Sequence, residues 1–89
     1  MLEKKTGSKI EVDIHGMRAD EARRQLELLL TRAGKDVEEI TVIHGYHNGQ
    51  VLMDMVRKQL KHPRIEAKML SLNSGQTRII LKKKLIPMS

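Results

Sequence analysis

The chain has 89 residues, a net charge of +6 and no cysteine. It fits one small domain whose core must come from Leu, Ile, Val and Met, because neither disulfides nor cysteine-held zinc can brace it. Phe and Trp are absent and Tyr46 is the single aromatic residue, which argues against nucleic-acid binders built on a platform of stacked rings.

The opening residues, MLEKKTGSKI, hold no apolar run of signal-peptide length, and no segment approaches the roughly 20 apolar residues of a membrane span. A cytoplasmic protein without membrane contact, and a monomer, is expected. The charge is unevenly placed. Residues 1–54 carry eight basic and ten acidic side chains, whereas residues 55–89 carry nine basic and one acidic. Arg57, Lys58, Lys61, Arg64, Lys68, Arg78, Lys82, Lys83 and Lys84 therefore form a candidate footprint for a polyanion, or else a solubilising surface.

In chain order, residues 1–8 read as a flexible tail. "IEVDIH" then alternates, with Ile10, Val12 and Ile14 on one face and Glu11, Asp13 and His15 on the other, which predicts a strand. Gly16 breaks it. A helix follows, with Ala22, Leu26, Leu29, Leu30 and Ala33 on one stripe, Asp20 and Glu21 favouring its start through the dipole, and Gly34 as its stop. The β-branched run "ITVI", residues 40–43, predicts a buried strand ending at His44. Strand, helix and strand make a βαβ unit with parallel strands.

Asn48 is the predicted N-cap of a second helix over residues 50–61, with Leu52, Met55, Val56 and Leu60 as its stripe and Pro63 beyond its end. "IEAKMLSL" and "TRIILKKKL" then read as two antiparallel strands joined by the turn "NSGQ". The expected fold is a two-layer α/β (α+β) sandwich of order βαβαββ over residues 9–84, a mixed four-stranded sheet with two helices on it, one sheet face left partly open, and a short tail at 85–89.

Chemistry concentrates at two strand ends. In a parallel βαβ unit the carboxyl ends of both strands lie along one sheet edge, where open α/β sheets bind ligands. His15 and His44 each stand there, each followed by glycine, and Asp13 shares a face with His15. Gly16, Gly45 and Gly49 supply backbone freedom or close approach, and the helix after "HGYHNG" directs free N–H groups into the loop that holds Tyr46, His47 and Asn48. Together with Arg57, Lys61, Lys82 and Lys84 these residues form the candidate phosphate or nucleic-acid site. Each also has a structural reading: His47 and Asn48 as turn residues, Asp13 as the anchor of a turn. Asp13, His15, His44 and His47 are chemically compatible with zinc or manganese, but no pair has the spacing of two ligands on one helix face. No resident metal is assigned, although a divalent cation remains compatible with the site.

"VDIHG" and "IHGYHNG" together resemble the two motifs of the Smr (small MutS-related) domain family, Leu-Asp-x-His followed by Gly, and His-Gly-x-Gly. Asp13, His15 and Gly16 match the first, with Val12 for leucine; His44 and Gly45 match the second, with His47 where its second glycine is expected. The resemblance spans about residues 9–84. It implies a fold similar to the C-terminal domain of translation initiation factor three and an endonuclease acting on RNA or DNA, some relatives working at the ribosome. Asp13, His15 and His44 inherit the catalytic roles and Gly45 the loop role. The alternative class is a nucleic-acid or ribosome-binding module without catalysis; a third is a protein-interaction domain using the open sheet face.

Overall fold

A computed structural model of the chain describes residues 1–45 and 49–83. Five strands, β1 (Leu2–Thr6), β2 (Lys9–Asp13), β3 (Glu39–Ile43), β4 (Ile65–Leu70) and β5 (Gln76–Leu81), form one sheet in the order β1-β2-β3-β5-β4. The β2–β3 pair is parallel and the other three pairs are antiparallel. Helix α1 (Ala19–Arg32) makes the crossover between β2 and β3.

The expected four strands are corrected to five. Leu2–Thr6, within the segment expected to precede the domain, pairs antiparallel with β2, Leu2 opposite Asp13 and Thr6 opposite Lys9. All five of its residues are exposed, so no alternation of apolar and polar side chains announces it. Gly7, with φ at 61°, turns the chain between the two strands.

The second helix is also not uniform. An α-helical segment, α2 (Gly49–Asp54), passes into a wider π-helical turn at Met55–Gln59, closed by the Leu60 N–H on the Met55 carbonyl at 2.7 Å. Its expected stripe is nonetheless intact: Leu52, Met55, Val56 and Leu60 are all buried. So are Ala22, Leu26, Leu29, Leu30 and Ala33 of α1 and the loop that follows it.

These side chains meet the inward-facing residues of the sheet. Ile10, Val12 and Ile14 come from β2 and its end, Ile40 and Val42 from β3, and Ile79 and Leu81 from β5. Both helices therefore cover one face. The other carries Lys4, Glu11, Asp13, Thr41, Ile43 and Arg78, by the alternation of the paired strands. Across it Arg78 donates to Glu39 at 2.7 Å, and that hydrogen bond holds the Glu39 carboxyl below the ordinary carboxylate range.

Arg64 fastens the domain's far end. Its guanidinium is buried and donates to the carbonyls of Ala33 (2.6 Å), Gly34 (2.7 Å), Val37 (3.2 Å) and Lys82 (3.2 Å). It thus ties the loop after α1 to the end of β5, turning a buried charge into a fully bonded one. We expect Arg64→Met to lower unfolding free energy by about 2–4 kcal/mol, since several buried carbonyls lose charge-assisted donors together. Urea denaturation measures this; a loss within about 0.5 kcal/mol, the range of an ordinary surface change, contradicts it.

Candidate functional site

The register of β2 against β3 builds the site. Asp13 lies opposite Ile43, and the Ile14 N–H donates to the Ile43 carbonyl at 2.9 Å. Both strands end at this point, each passing into a glycine in the left-handed region, Gly16 at φ 79° and Gly45 at φ 81°. A side chain at Gly45 would be strained by that φ, and its Cβ would lie 3.4 Å from His15 Cβ. The two motif loops are therefore in contact.

Asp13 and His15 form a pair. Asp13 Oδ1 accepts the His15 backbone N–H at 3.0 Å and also meets the His15 ring at Nδ1. Partial burial works against the Asp13 carboxylate, but the two hydrogen bonds from His15 and the attraction of its ring outweigh it and leave the carboxyl below its ordinary value. With Nδ1 held by Asp13, the Nε2 edge is left facing solvent, and the His15 side chain is 69% exposed.

His44 occupies the opposite situation. It follows Val42 and Ile40 in the inward alternation and is 1% exposed. Its Nε2 lies 2.9 Å from Thr77 Oγ1, which also accepts Arg57 Nε–H at 3.0 Å. Its Nδ1 faces the Gly45 carbonyl at 3.4 Å. A carbonyl only accepts, so the proton belongs on Nδ1, and Nε2 accepts from the Thr77 hydroxyl. Burial depresses the His44 pKa, and the Arg57 charge lowers it further. The chain Arg57–Thr77–His44 thus ends on the loop that flanks His15.

The β4–β5 turn completes the edge. The Gly75 carbonyl accepts the N–H groups of both His44 (2.9 Å) and Gly45 (3.0 Å). Thr77 and Gly75 were not singled out from the sequence. Thr77 had a visible signal, since it shares the inward register of Ile79 and Leu81, where a lone hydroxyl needs a partner. Arg18, an exposed cation two residues beyond Gly16 with its side chain 84% exposed, was also passed over.

The candidate residues fall into separate groups. Asp13, His15, Gly16, Gly45 and, through Thr77, His44 and Arg57 converge at the carboxyl edge. The two imidazoles do not share a face, however: Asp13 and His15 are on the open side, while His44 is on the helix side. Tyr46, His47, Asn48 and Lys84 lie outside the described residues. Lys61 and Lys82 are at the opposite edge, because β5 runs antiparallel to β3 and Lys82 follows its last residue. Six residues of β5 put Lys82 roughly 20 Å from the carboxyl edge.

Nor is the basic half-chain one free footprint. Arg64 is bonded to carbonyls, Arg78 pairs with Glu39, Lys58 lies 3.7 Å from Asp54, and Lys68 donates to the Leu60 carbonyl at the helix end. Lys82 and Lys83 remain exposed beside an open groove of about 420 Å³ that also takes in Thr31 and His62. No cluster of three His, Asp or Glu side chains suited to a metal is found among the described residues. Among the same residues, no helix is long and apolar enough to cross a membrane.

A family model of the Smr domain matches residues 12–81, most of the chain. The chain belongs to the Smr domain family. No curated protein matches it. Membership makes it a nucleic-acid-binding module.

The buried histidine of this Smr domain carries a pH signature. An unfolded histidine protonates near 6.5, its ordinary value, whereas folded His44 resists protonation until lower pH. Below 6.5 the unfolded state binds more protons, so this contribution is lost as pH falls from 6.5 towards the folded value. Asp13, also depressed, adds a loss only as pH falls below 3.8. Urea midpoints at pH 7 and pH 5 should therefore differ more for the native chain than for His44→Gln; an equal difference in both removes His44 as the cause.

Proposed function

We propose that this Smr domain cleaves phosphodiesters, RNA in preference to DNA, with His15 as the proton acceptor. The observation that carries the reading is the Asp13–His15 pair, exposed at a sheet edge beside two left-handed glycines. Asp13 orients the ring and favours the tautomer whose Nε2 is free to accept a proton.

RNA brings its own nucleophile. Nε2 of His15 takes the 2′-hydroxyl proton, that oxygen attacks the adjacent phosphorus, and the bond to the 5′ oxygen breaks. The departing oxygen takes a proton from water, and the proton on His15 returns to solvent. Arg18, exposed on the same loop and 3.6 Å from the equally exposed Asp20 carboxylate, is the cation suited to turn to the phosphate charge. Gly16 and Gly45 leave the backbone bare for its approach.

His44 has a different part in this scheme from His15. Enclosed and neutral, it acts as a positioning residue, holding Gly45 against His15 through the Thr77 and Arg57 hydrogen bonds. A divalent ion bound by Asp13 and His15 that activates water is the alternative chemical route; treatment with a chelator separates the two.

The second reading is a Smr module that binds RNA, DNA or the ribosome without cutting. The burial of His44 favours it, because a second solvent-facing imidazole for acid catalysis is absent among the described residues of this edge. The test is incubation of the protein with labelled structured RNA and with supercoiled plasmid, each with and without chelator. Cleavage of RNA should persist with chelator and fall about 10²-fold or more in His15→Ala, the scale of a lost general base. Binding by His15→Ala should be retained. RNA and plasmid both left intact by the native chain would move the assignment to the binding module.

A further inference from the structure

Strand β1 serves neither the core nor the family pattern. Its residues are exposed throughout, and it lies before residue 12, where the match to the Smr domain begins. Its register nevertheless brings it to the site. Leu2 stands opposite Asp13, and Asp13 opposite Ile43, so the three form one row across the open sheet face. Lys4, Glu11 and Thr41 form the next row on that face, two residues or roughly 7 Å further from the strand ends.

Between these rows is a hollow of about 210 Å³ lined by Leu2, Lys4, Glu11, Asp13 and Ile43. Leu2 is 77% exposed and Ile43 half-buried, while the Asp13 carboxylate between them is taken up by the His15 N–H and ring. An exposed leucine alone carries no message; here it is one wall of a hollow whose other wall is charged. Lys4 and Glu11 face each other across the β1–β2 pair without closing an ion pair, and neither side chain has a hydrogen-bond partner among the described residues. A group that only accepts and a group that only donates are thus held side by side and free.

The hollow is smaller than the site of a whole small-molecule ligand and suits one flat group with an apolar face and a polar edge. A nucleobase is such a group. Guanine offers N1–H and an N2 amine hydrogen as adjacent donors to the Glu11 carboxylate, and O6 to the Lys4 ammonium, three hydrogen bonds in all. Adenine, cytosine and uracil each offer one donor group and one acceptor in that arrangement, and so make two. A ribose at His15 Nε2 whose base turns inward over the sheet lays that base on the row of Leu2 and Ile43.

We propose that Glu11 and Lys4, with Leu2 and Ile43 as an apolar floor, form a base subsite beside the Asp13–His15 pair that selects guanine, so that this domain engages RNA at an unpaired guanosine. The proposal rests on a strand meeting the His15 edge, as in the function proposed above, but needs no cleavage.

The experiment measures binding of short 2′-fluoro RNA strands, which lack the attacking hydroxyl. They are uridine throughout except at one central position, which carries guanosine, inosine, adenosine, cytidine or uridine. The native chain should bind the guanosine strand about tenfold more tightly than the adenosine, cytidine and uridine strands, the scale of one hydrogen bond to a charged group. Inosine, which lacks the N2 amine, should fall between. Glu11→Gln should bring the guanosine strand to the affinity of the uridine strand and leave the latter no weaker, and Leu2→Ser should weaken every strand alike. Equal affinity of the native chain for all strands overturns the subsite, as does a guanosine preference that survives in Glu11→Gln. Equal loss on every strand in Glu11→Gln, or no effect of Leu2→Ser, also overturns it. The same strands with 2′-hydroxyls separate the two proposals. A guanosine preference without cutting removes the endonuclease reading and leaves the subsite standing; cutting beside every base alike, with no preference in binding, does the reverse.

Discussion

The parallel register of β2 and β3, with Asp13 opposite Ile43 and the Ile14 N–H on the Ile43 carbonyl, decides where every side chain of the site points. Even-numbered residues at these strand ends, Ile14, Val42 and His44, enter the core; odd-numbered ones, Asp13, His15 and Ile43, do not. A slip of one residue would exchange the two sets, burying a carboxylate and exposing the apolar face. The core therefore holds the register, and the register gives one motif histidine to solvent and the other to the interior. The two Smr motifs are alike on paper because both are strand ends followed by glycine. They differ in the structure because their histidines have opposite parity.

The same economy governs the positive charge. Four of the cations in the second half of the chain bond within the fold or lie against local carboxylates: Arg64 on four carbonyls, Arg78 on Glu39, Lys68 on a helix end, Lys58 near Asp54. Arg57 is engaged with Thr77 and so belongs to the support of the His-Gly loop. A high count of lysines and arginines measured the material for a polyanion footprint, but the fold's own need to satisfy buried carbonyls and carboxylates consumes a large part of it. What is left of it among the described residues, Lys61, Lys82 and Lys83, lies at the edge opposite the motif loops.

Much of this was legible in the residues themselves. Periodicity located α1 and its buried stripe, the parallel βαβ unit and the closing hairpin, because burial on one face writes a period of 3.6 or 2 into the sequence. β1 was hidden, since LEKKT is exposed throughout and carries no apolar side to announce it. The π-helical turn was hidden because the same stripe serves either helix. His44 was half legible: the continuous run Ile40–Ile43 masks the alternation that sends Ile40, Val42 and His44 inward, whereas the alternation before His15 was plain. The split between Lys82 and the motif loops follows from strand direction, a property of the assembled sheet that local sequence does not contain.

We propose that this Smr domain meets nucleic acid at the carboxyl edge of β2 and β3. The most direct measurement is a titration of the isotope-labelled chain with an RNA oligonucleotide, followed by its backbone amide resonances. Shifts should concentrate at His15, Gly16, Arg18 and Gly45, with Thr31, Lys82 and Lys83 unmoved. Shifts confined to the groove of Thr31, His62, Lys82 and Lys83 would contradict it.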